Sequence, residues 1–449
     1  MSLAAAEVAQ ILIVLTVFLI AAHLGGYVFA LLRQPPVIGE VVGGLLLGGS
    51  VLGLFVPAAP GWLGPPAGPT AHVLGAVYQL GMLLMVFLAG LEMPGSGQGG
   101  ERRTIVFTTV SGLVIPFAGG LAVAQLVDTG DLAGRHGSAT SISLVLGLAI
   151  AVTSIPVISR IMLDLGILGS VFARTVLAVA VVEDVLLYVV LAVILGIAHV
   201  QAGAAYGLPT LLPAGSVGWE VAYFATASLL FFAILLPWGR PAFRLLTSSP
   251  VGVLERRSPA AFRLMFLFAL CLCCLGLGID PIFGALMAGI AMADRQGERR
   301  AGTEAPELRA VRGFALAFFV PIYFALVGFR LNLVRDLDLL FFGWLFVLAC
   351  AIKFGSVWLG ARLAGRSAAW STHFAVAMNA RGGPGIVLAT VTFGAGVINE
   401  RFFVALVLLS IVTSQLAGAW LIRAMTKHPG FEEADAEAAT TPAAPSESG

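Results

Sequence analysis

Charge is what this 449-residue sequence has least of. Asp, Glu, Lys and Arg together make up 11% of it, against about a quarter in soluble globular domains. With 59% hydrophobic residues and a mean hydropathy of +0.99, that scarcity excludes a soluble enzyme and a disordered chain. The 25 basic and 24 acidic residues leave a net charge of +1. Without a basic surface a nucleic-acid binder is excluded, and no polyanionic partner is implied. Cysteine is also scarce: Cys271, Cys273, Cys274 and Cys350 all lie within apolar runs, a placement that suggests neither a disulfide frame nor a zinc site. The histidines are scattered, and neither HExxH nor GxSxG occurs, so an intramembrane hydrolase would lack its metal motif or nucleophile. No cleavable signal is expected, because the first apolar run is too long for an h-region and has no basic flank. What remains is an all-α polytopic membrane protein.

About 30 Å of hydrocarbon takes roughly 20 apolar residues as helix. About thirteen such runs can be drawn, at 7–32, 36–55, 72–93, 104–127, 138–163, 169–198, 218–239, 260–279, 280–294, 308–329, 339–364, 368–395 and 401–425. The eighth and ninth are short and parted only around Asp280-Pro281. Residues 1–427 are expected to form the transmembrane domain, and the polar, acidic stretch 428–449 a disordered cytoplasmic tail. With the N-terminus outside, Arg135, Arg330, Arg335 and Arg401 fall on the outer side, Lys353 and Arg381 within spans, and all other basic residues of the membrane part on the inner side. This bias supports an odd span count and a cytoplasmic C-terminus in the cell membrane. Thirteen spans permit six, a connector and six, with the two sets inverted, which is the usual plan of secondary transporters.

Ionisable residues at membrane depth are costly, about 2.5–3.5 kcal/mol each on insertion scales, and they mark functional paths. Glu183 and Asp184 sit in the middle of span six, in LAVAVVEDVLLYVV. Adjacent helix residues point about 100° apart, so one carboxylate can meet a cation while the other meets a basic side chain. A carboxylate supplies the hard oxygen that a small monovalent cation wants, and a proton competes for it. Lys353, in the middle of span eleven, is the candidate partner of Glu183; it also fits a snorkelling lysine, or one that releases a proton.

Two spans look broken. AVTSIPVISR in span five carries Thr153, Ser154 and Pro156, and proline removes a helix hydrogen bond. MNARGGPGIV in span twelve carries Asn379, Arg381, Gly382, Gly383, Pro384 and Gly385, which are not expected to continue as regular helix. Irregular backbone at this depth is tolerated where it is buried or lines a cavity, and breaks in corresponding spans of two halves point to a transport site. The Thr153 and Ser154 hydroxyls and freed carbonyls are candidate cation ligands, and Arg381 could neutralise the partial negative ends of the broken helices. Glu40 is read as an interface or packing residue, Glu92 as a span end, and His23 and His373 as hydrogen-bonded histidines that could relay protons.

The segments QPPVIGEVVGGLLLGGSVLG, LGMLLMVFLAGLEM, AVTSIPVISRIMLDLGILG, VVEDVLLYVV, GIDPIFGALMAGIAMADR, FFVPIYFALVGFRLNL and MNARGGPGIVLATV resemble the monovalent cation:proton antiporter-2 family, in that family's order. The resemblance implies a homodimer, each subunit with a scaffold and a mobile core that holds two crossed discontinuous helices. It places Thr153–Pro156 on the first and Asn379–Gly385 on the second. It maps Asp184 onto the essential aspartate that carries cation and proton, Glu183 onto the position before it, and Lys353 onto the lysine that pairs there. Glu183 departs from the usual Asp, Asn or Gln, and Gly385 stands where many relatives have an acid. With a tail of about twenty residues, the nucleotide-binding domain of the family's potassium-efflux members is not expected.

The activity implied is proton-coupled antiport of Na⁺, with K⁺ or Li⁺ as alternatives, by alternating access and without an organic cofactor. If Lys353 also cycles a proton, two protons would exchange for one cation. Two rival readings share the broken helices and the central acid: a cation channel, for which no potassium-filter sequence is present, and a proton-driven exporter of an organic ion.

Overall fold

The computed structural model describes residues 3–32, 34–92, 102–154, 158, 162, 167, 170–202, 207–208, 217–248, 253–293 and 306–427. Among them there are helices and turns, and one isolated bridge between Ala133 and Ile398. The main helices in chain order are α1 (Ala5–Leu31), α2 (Pro36–Leu47), α3 (Pro69–Glu92), α4 (Arg102–Ala124), α5 (Ala139–Ala151), α6 (Val171–Ala202), α7 (Val217–Ser248), α8 (Pro259–Gly276), α9 (Pro281–Met292), α10 (Pro306–Phe314), α11 (Val320–Arg330), α12 (Leu339–Leu363), α13 (Ala368–Ala377), α14 (Gly382–Gly394) and α15 (Glu400–Lys427). A π-turn at Ala315–Phe319 joins α10 to α11.

Each of the thirteen apolar runs contains helix. Ten helices among the described residues are long and apolar enough to cross a membrane. Helices α5 and α9, with 13 and 12 residues, rise only about 18–20 Å at 1.5 Å per residue. Thirteen full crossings are therefore not established among the described residues. The 428–449 tail and Pro156 lie outside them.

The helices pack as two bundles. In the first, α2 lies against α1 and α11, α3 against α9 and α11, and α8 against α9. In the second, α4 lies against α5, α6 and α12, while α14 touches α5, α6 and α15. Helix α7, the seventh run, packs on α6 from one bundle and α9 from the other. Lipid tails are as apolar as leucine, so helices in a membrane associate through close van der Waals fit between small residues. That explains the glycines of α2: a Cβ on Gly44 would run into the Ala325 backbone, and one on the facing Gly328 of α11 into the Val41 carbonyl. The result is a tightly joined first bundle against which the second, with its interrupted helices, is set.

Candidate ion site

The second bundle owes its shape to two interruptions. Helix α5 ends at Ala151, and Val152–Ser154 run on without helical structure, fully or almost fully buried. The second interruption is Met378–Arg381, between α13 and α14. The two touch directly. The Ser154 backbone N–H donates to the Ala380 carbonyl at 2.7 Å, and the Thr153 hydroxyl donates to the Met378 carbonyl at 2.7 Å. The interruptions in runs five and twelve thus meet, as the family resemblance implies for its two discontinuous helices.

The position of the second break corrects the sequence reading. Gly382, Gly383, Pro384 and Gly385 are not the irregular stretch; they form the first turn of α14. First-turn N–H groups have no intrahelical acceptor, so a proline there loses no helix hydrogen bond. Gly382 starts the helix at φ +33°, a backbone angle that favours glycine, and the Ser414 hydroxyl of α15 accepts its N–H at 2.9 Å. At Gly385, where the family pattern has an acid, a Cβ would meet the Ser410 hydroxyl, which would have to turn aside.

The last four carbonyls of a helix have no intrahelical donor, and together they carry its partial negative charge. In α5 all four are met. The Val152 N–H serves Leu148. Arg381, 1% exposed, donates from Nε to the Ala149 carbonyl at 2.8 Å and from Nη2 to that of Ile150 at 3.1 Å. Lys353, fully buried, donates to the Ala151 carbonyl at 2.5 Å. The other Arg381 protons go to the Ala349 carbonyl and to the Asn379 carbonyl and Oδ1, while Asn379 Nδ2 donates to the Cys350 carbonyl at 3.1 Å. Both buried cations are therefore seated on the C-terminus of the first half-helix.

Lys353 also meets both carboxylate oxygens of Glu183 at 2.9 Å and the Gly112 carbonyl of α4 at 2.9 Å. The extra methylene of glutamate does not prevent the pairing. Glycine at 112 makes room for it: a Cβ there would stand 3.1 Å from Glu183 Oε1 and 2.9 Å from Val357.

Asp184, the next residue, is 2% exposed, and its Oδ1 has no hydrogen-bond partner. The buried Ser154 hydroxyl likewise has none. Two adjacent buried acids thus differ in state: one is held by an ammonium, and the other keeps an oxygen free. Among the described residues no three His, Cys, Asp or Glu side chains gather as a metal site.

The secondary candidates fall elsewhere. Glu40 lies on α2 in the first bundle, its Cγ against Gly26 of α1 and its Oε2 buried without a partner. Glu92 ends α3. His23 is exposed and hydrogen-bonds the Ala317 carbonyl at the π-turn; His373 meets the Trp420 indole N–H at 3.3 Å. The four cysteines are free thiols. Gly112, Ser410 and Ser414 are parts of the site that the sequence did not single out.

The family described as sodium/hydrogen exchanger, transmembrane, matches residues 16–427. The Na(+)/H(+)-K(+) antiporter GerN of Bacillus cereus is 27% identical over 410 residues, covering 90% of this chain and 93% of its own. The Na(+)/H(+) antiporter NhaS4 of Synechocystis is 26% identical over 413 residues, covering 90% and 94%. The solved structure of the sodium proton antiporter MjNhaP1 of Methanocaldococcus jannaschii superposes with a TM-score of 0.63 at 14% identity, covering 93% of this chain and 99% of that one; at that identity the likeness is one of fold.

Proposed function

We propose how this chain works from one premise: it belongs to the sodium/hydrogen exchanger family. It is an integral multi-pass membrane protein that exchanges a monovalent cation for protons. Our reading assigns the exchange to Asp184, which holds a proton or a cation in turn. Na⁺ is the proposed cation, with K⁺ and Li⁺ as competitors; the relatives' names include both Na⁺ and K⁺. The observation that carries the assignment is the contrast within one turn of α6. Glu183 is tied to Lys353, while the Asp184 Oδ1 is buried with no partner. Such an oxygen is poorly stabilised until a proton or a cation arrives. Thr153, Ser154 and carbonyls at the crossing are the proposed supplementary ligands.

Each fixed charge at the site has a structural task. Lys353 balances Glu183, and Arg381 holds the end of α5, so neither competes for Asp184. The site then carries the same formal charge with a proton as with a cation, and one-for-one exchange moves no net charge. Exchange of two protons requires Lys353 to give one up. In this conformer its three N–H groups all have acceptors, so that stoichiometry needs another state in which the Glu183 pair is broken. The two cases separate in proteoliposomes under an imposed potential, which supplies about 2.3 kcal/mol per net charge per 100 mV. An unchanged rate rejects the two-proton case.

The second bundle is the proposed mobile core and the first the scaffold of a homodimer in the cell membrane, N-terminus outside and C-terminus inside. Labelling of single cysteines placed beside Arg102 and Arg335 tests the orientation, with the first reached from the cytoplasm and the second from outside. The deciding experiment for the site is Asp184→Asn in proteoliposomes. Cation-dependent proton movement is expected to vanish while the melting temperature holds, and an active variant would overturn the assignment.

A further inference from the structure

The hydrogen bonds that build the site all stay within the second bundle. A different one crosses between bundles. Tyr323 of α11 is completely buried, and its hydroxyl lies 2.9 Å from the Thr390 hydroxyl of α14. Thr390 gives its own proton to the Val387 carbonyl at 3.1 Å, so Tyr323 is the donor and Thr390 the acceptor.

This bond has a particular place in the route from Asp184. Tyr188 stands four residues beyond Asp184, one turn along the same face of α6. It is 2% exposed and within electrostatic reach of both Asp184 and Tyr323. The Tyr323 ring lies 5.1 Å from that of Tyr78 on α3, and the Arg330 guanidinium lies 4.5 Å above the Tyr78 ring. Three buried phenols therefore stand in series between Asp184 and the membrane face that bears Arg330. Two of them belong to the first bundle and one to the second, and the fastening between the bundles is made at the middle member of the series.

We infer that Tyr323 and Thr390 are positioning residues for the exchange. Their hydrogen bond fastens the bundle that carries Asp184 to the other bundle and holds the Arg330 side closed. The step that opens Asp184 to that side breaks the bond. This inference rests on the alternating-access reading above. It differs from the role of Asp184 in that neither residue touches the cation: they set how much of the protein is open to each side, and apparent affinity on a given side follows the open fraction.

The test uses full-length protein in proteoliposomes, with the cation KM and the maximal rate measured separately from each membrane face. Tyr323→Phe keeps the ring and Thr390→Val keeps the shape; each removes the bond. Either is expected to lower the KM on the Arg330 face about fivefold, the equivalent of about 1 kcal/mol, the net worth of one neutral hydrogen bond. The double variant shows no further change, because the second substitution finds the bond already gone, and Thr390→Ser restores the wild-type value. A KM that is unmoved, that changes equally on both faces, or that changes additively in the double variant overturns the inference. If the fall in KM occurs on the cytoplasmic face, the fastening stands and the proposed orientation is wrong. A wild-type protein that exchanges nothing refutes the antiport reading and this inference with it; wild-type exchange with unmoved variants refutes this inference alone.

Discussion

Replacing Lys353 by Met keeps most of the side-chain volume and removes the charge. Glu183 then remains buried beside the first half-helix with no cation, and the Gly112 and Ala151 carbonyls lose their donor. Removing one partner of a buried ion pair costs about 3–5 kcal/mol, because the remaining charge is uncompensated. At an unfolding entropy of about 2.1 cal/mol/K per residue, a chain of this length would melt about 3–5 °C lower. The double variant Lys353→Met, Glu183→Gln removes both charges, and the Gln amide can donate to one of the carbonyls. It is expected to recover most of the loss, since replacing both partners is far less costly than stranding one. The assay is thermal unfolding in detergent at one pH and salt concentration, beside proton-coupled transport. A single variant as stable as the wild type, or a double variant less stable than the single, would refute the claim that the pair acts as a unit.

Arg381→Gln strips the Ala149 and Ile150 carbonyls of their donor, at about 1.5–3 kcal/mol for each charged hydrogen bond. Arg381→Lys is expected to rescue little, because one ammonium cannot reproduce a planar fork that serves five acceptors; wild-type melting of the Lys variant would count against this seat. Asp338, outside the spans, caps α12 and pairs with Arg401 at 2.5 Å. The Phe341 N–H and then Arg401 hold its pKa below the ordinary 3.8. A depressed acid stabilises the fold above its unfolded pKa and loses that contribution as pH falls through the folded value. Arg401→Gln should therefore lower the melting temperature at pH 7 and matter progressively less as pH falls through the depressed Asp338 pKa; an effect that does not shrink on acidification would remove the ion pair as the cause.

Much of the site was legible because membrane depth makes charge conspicuous. Glu183, Asp184, Lys353 and Arg381 are anomalies in apolar runs, and the structure brings Glu183 to Lys353 and Arg381 to the end of α5. Thr153 and Ser154 lie at the first break as read. The second break was misplaced because Gly-Gly-Pro-Gly has two physical meanings: it interrupts a helix from within, yet suits the start of one. Tertiary structure separates them, as in the Ser414 hydroxyl that accepts the Gly382 N–H from 32 residues away. Gly112 gave no signal, since its value is the space it leaves for Glu183 among many glycines that serve ordinary packing. Thr390 gave none because a span threonine satisfies itself on its own helix, and the second contact of its oxygen, with Tyr323, is a matter of tertiary fit.

One carboxylate, Asp184, is proposed to hold a proton or a cation and not both. Titrating Na⁺ into the purified protein in buffers of different ionisation enthalpy measures protons released per cation bound. Release should approach one proton at pH values where Asp184 is protonated, fall away at higher pH, and be abolished by Asp184→Asn. Cation binding that releases no proton at any pH, or that persists unchanged in Asp184→Asn, would contradict it.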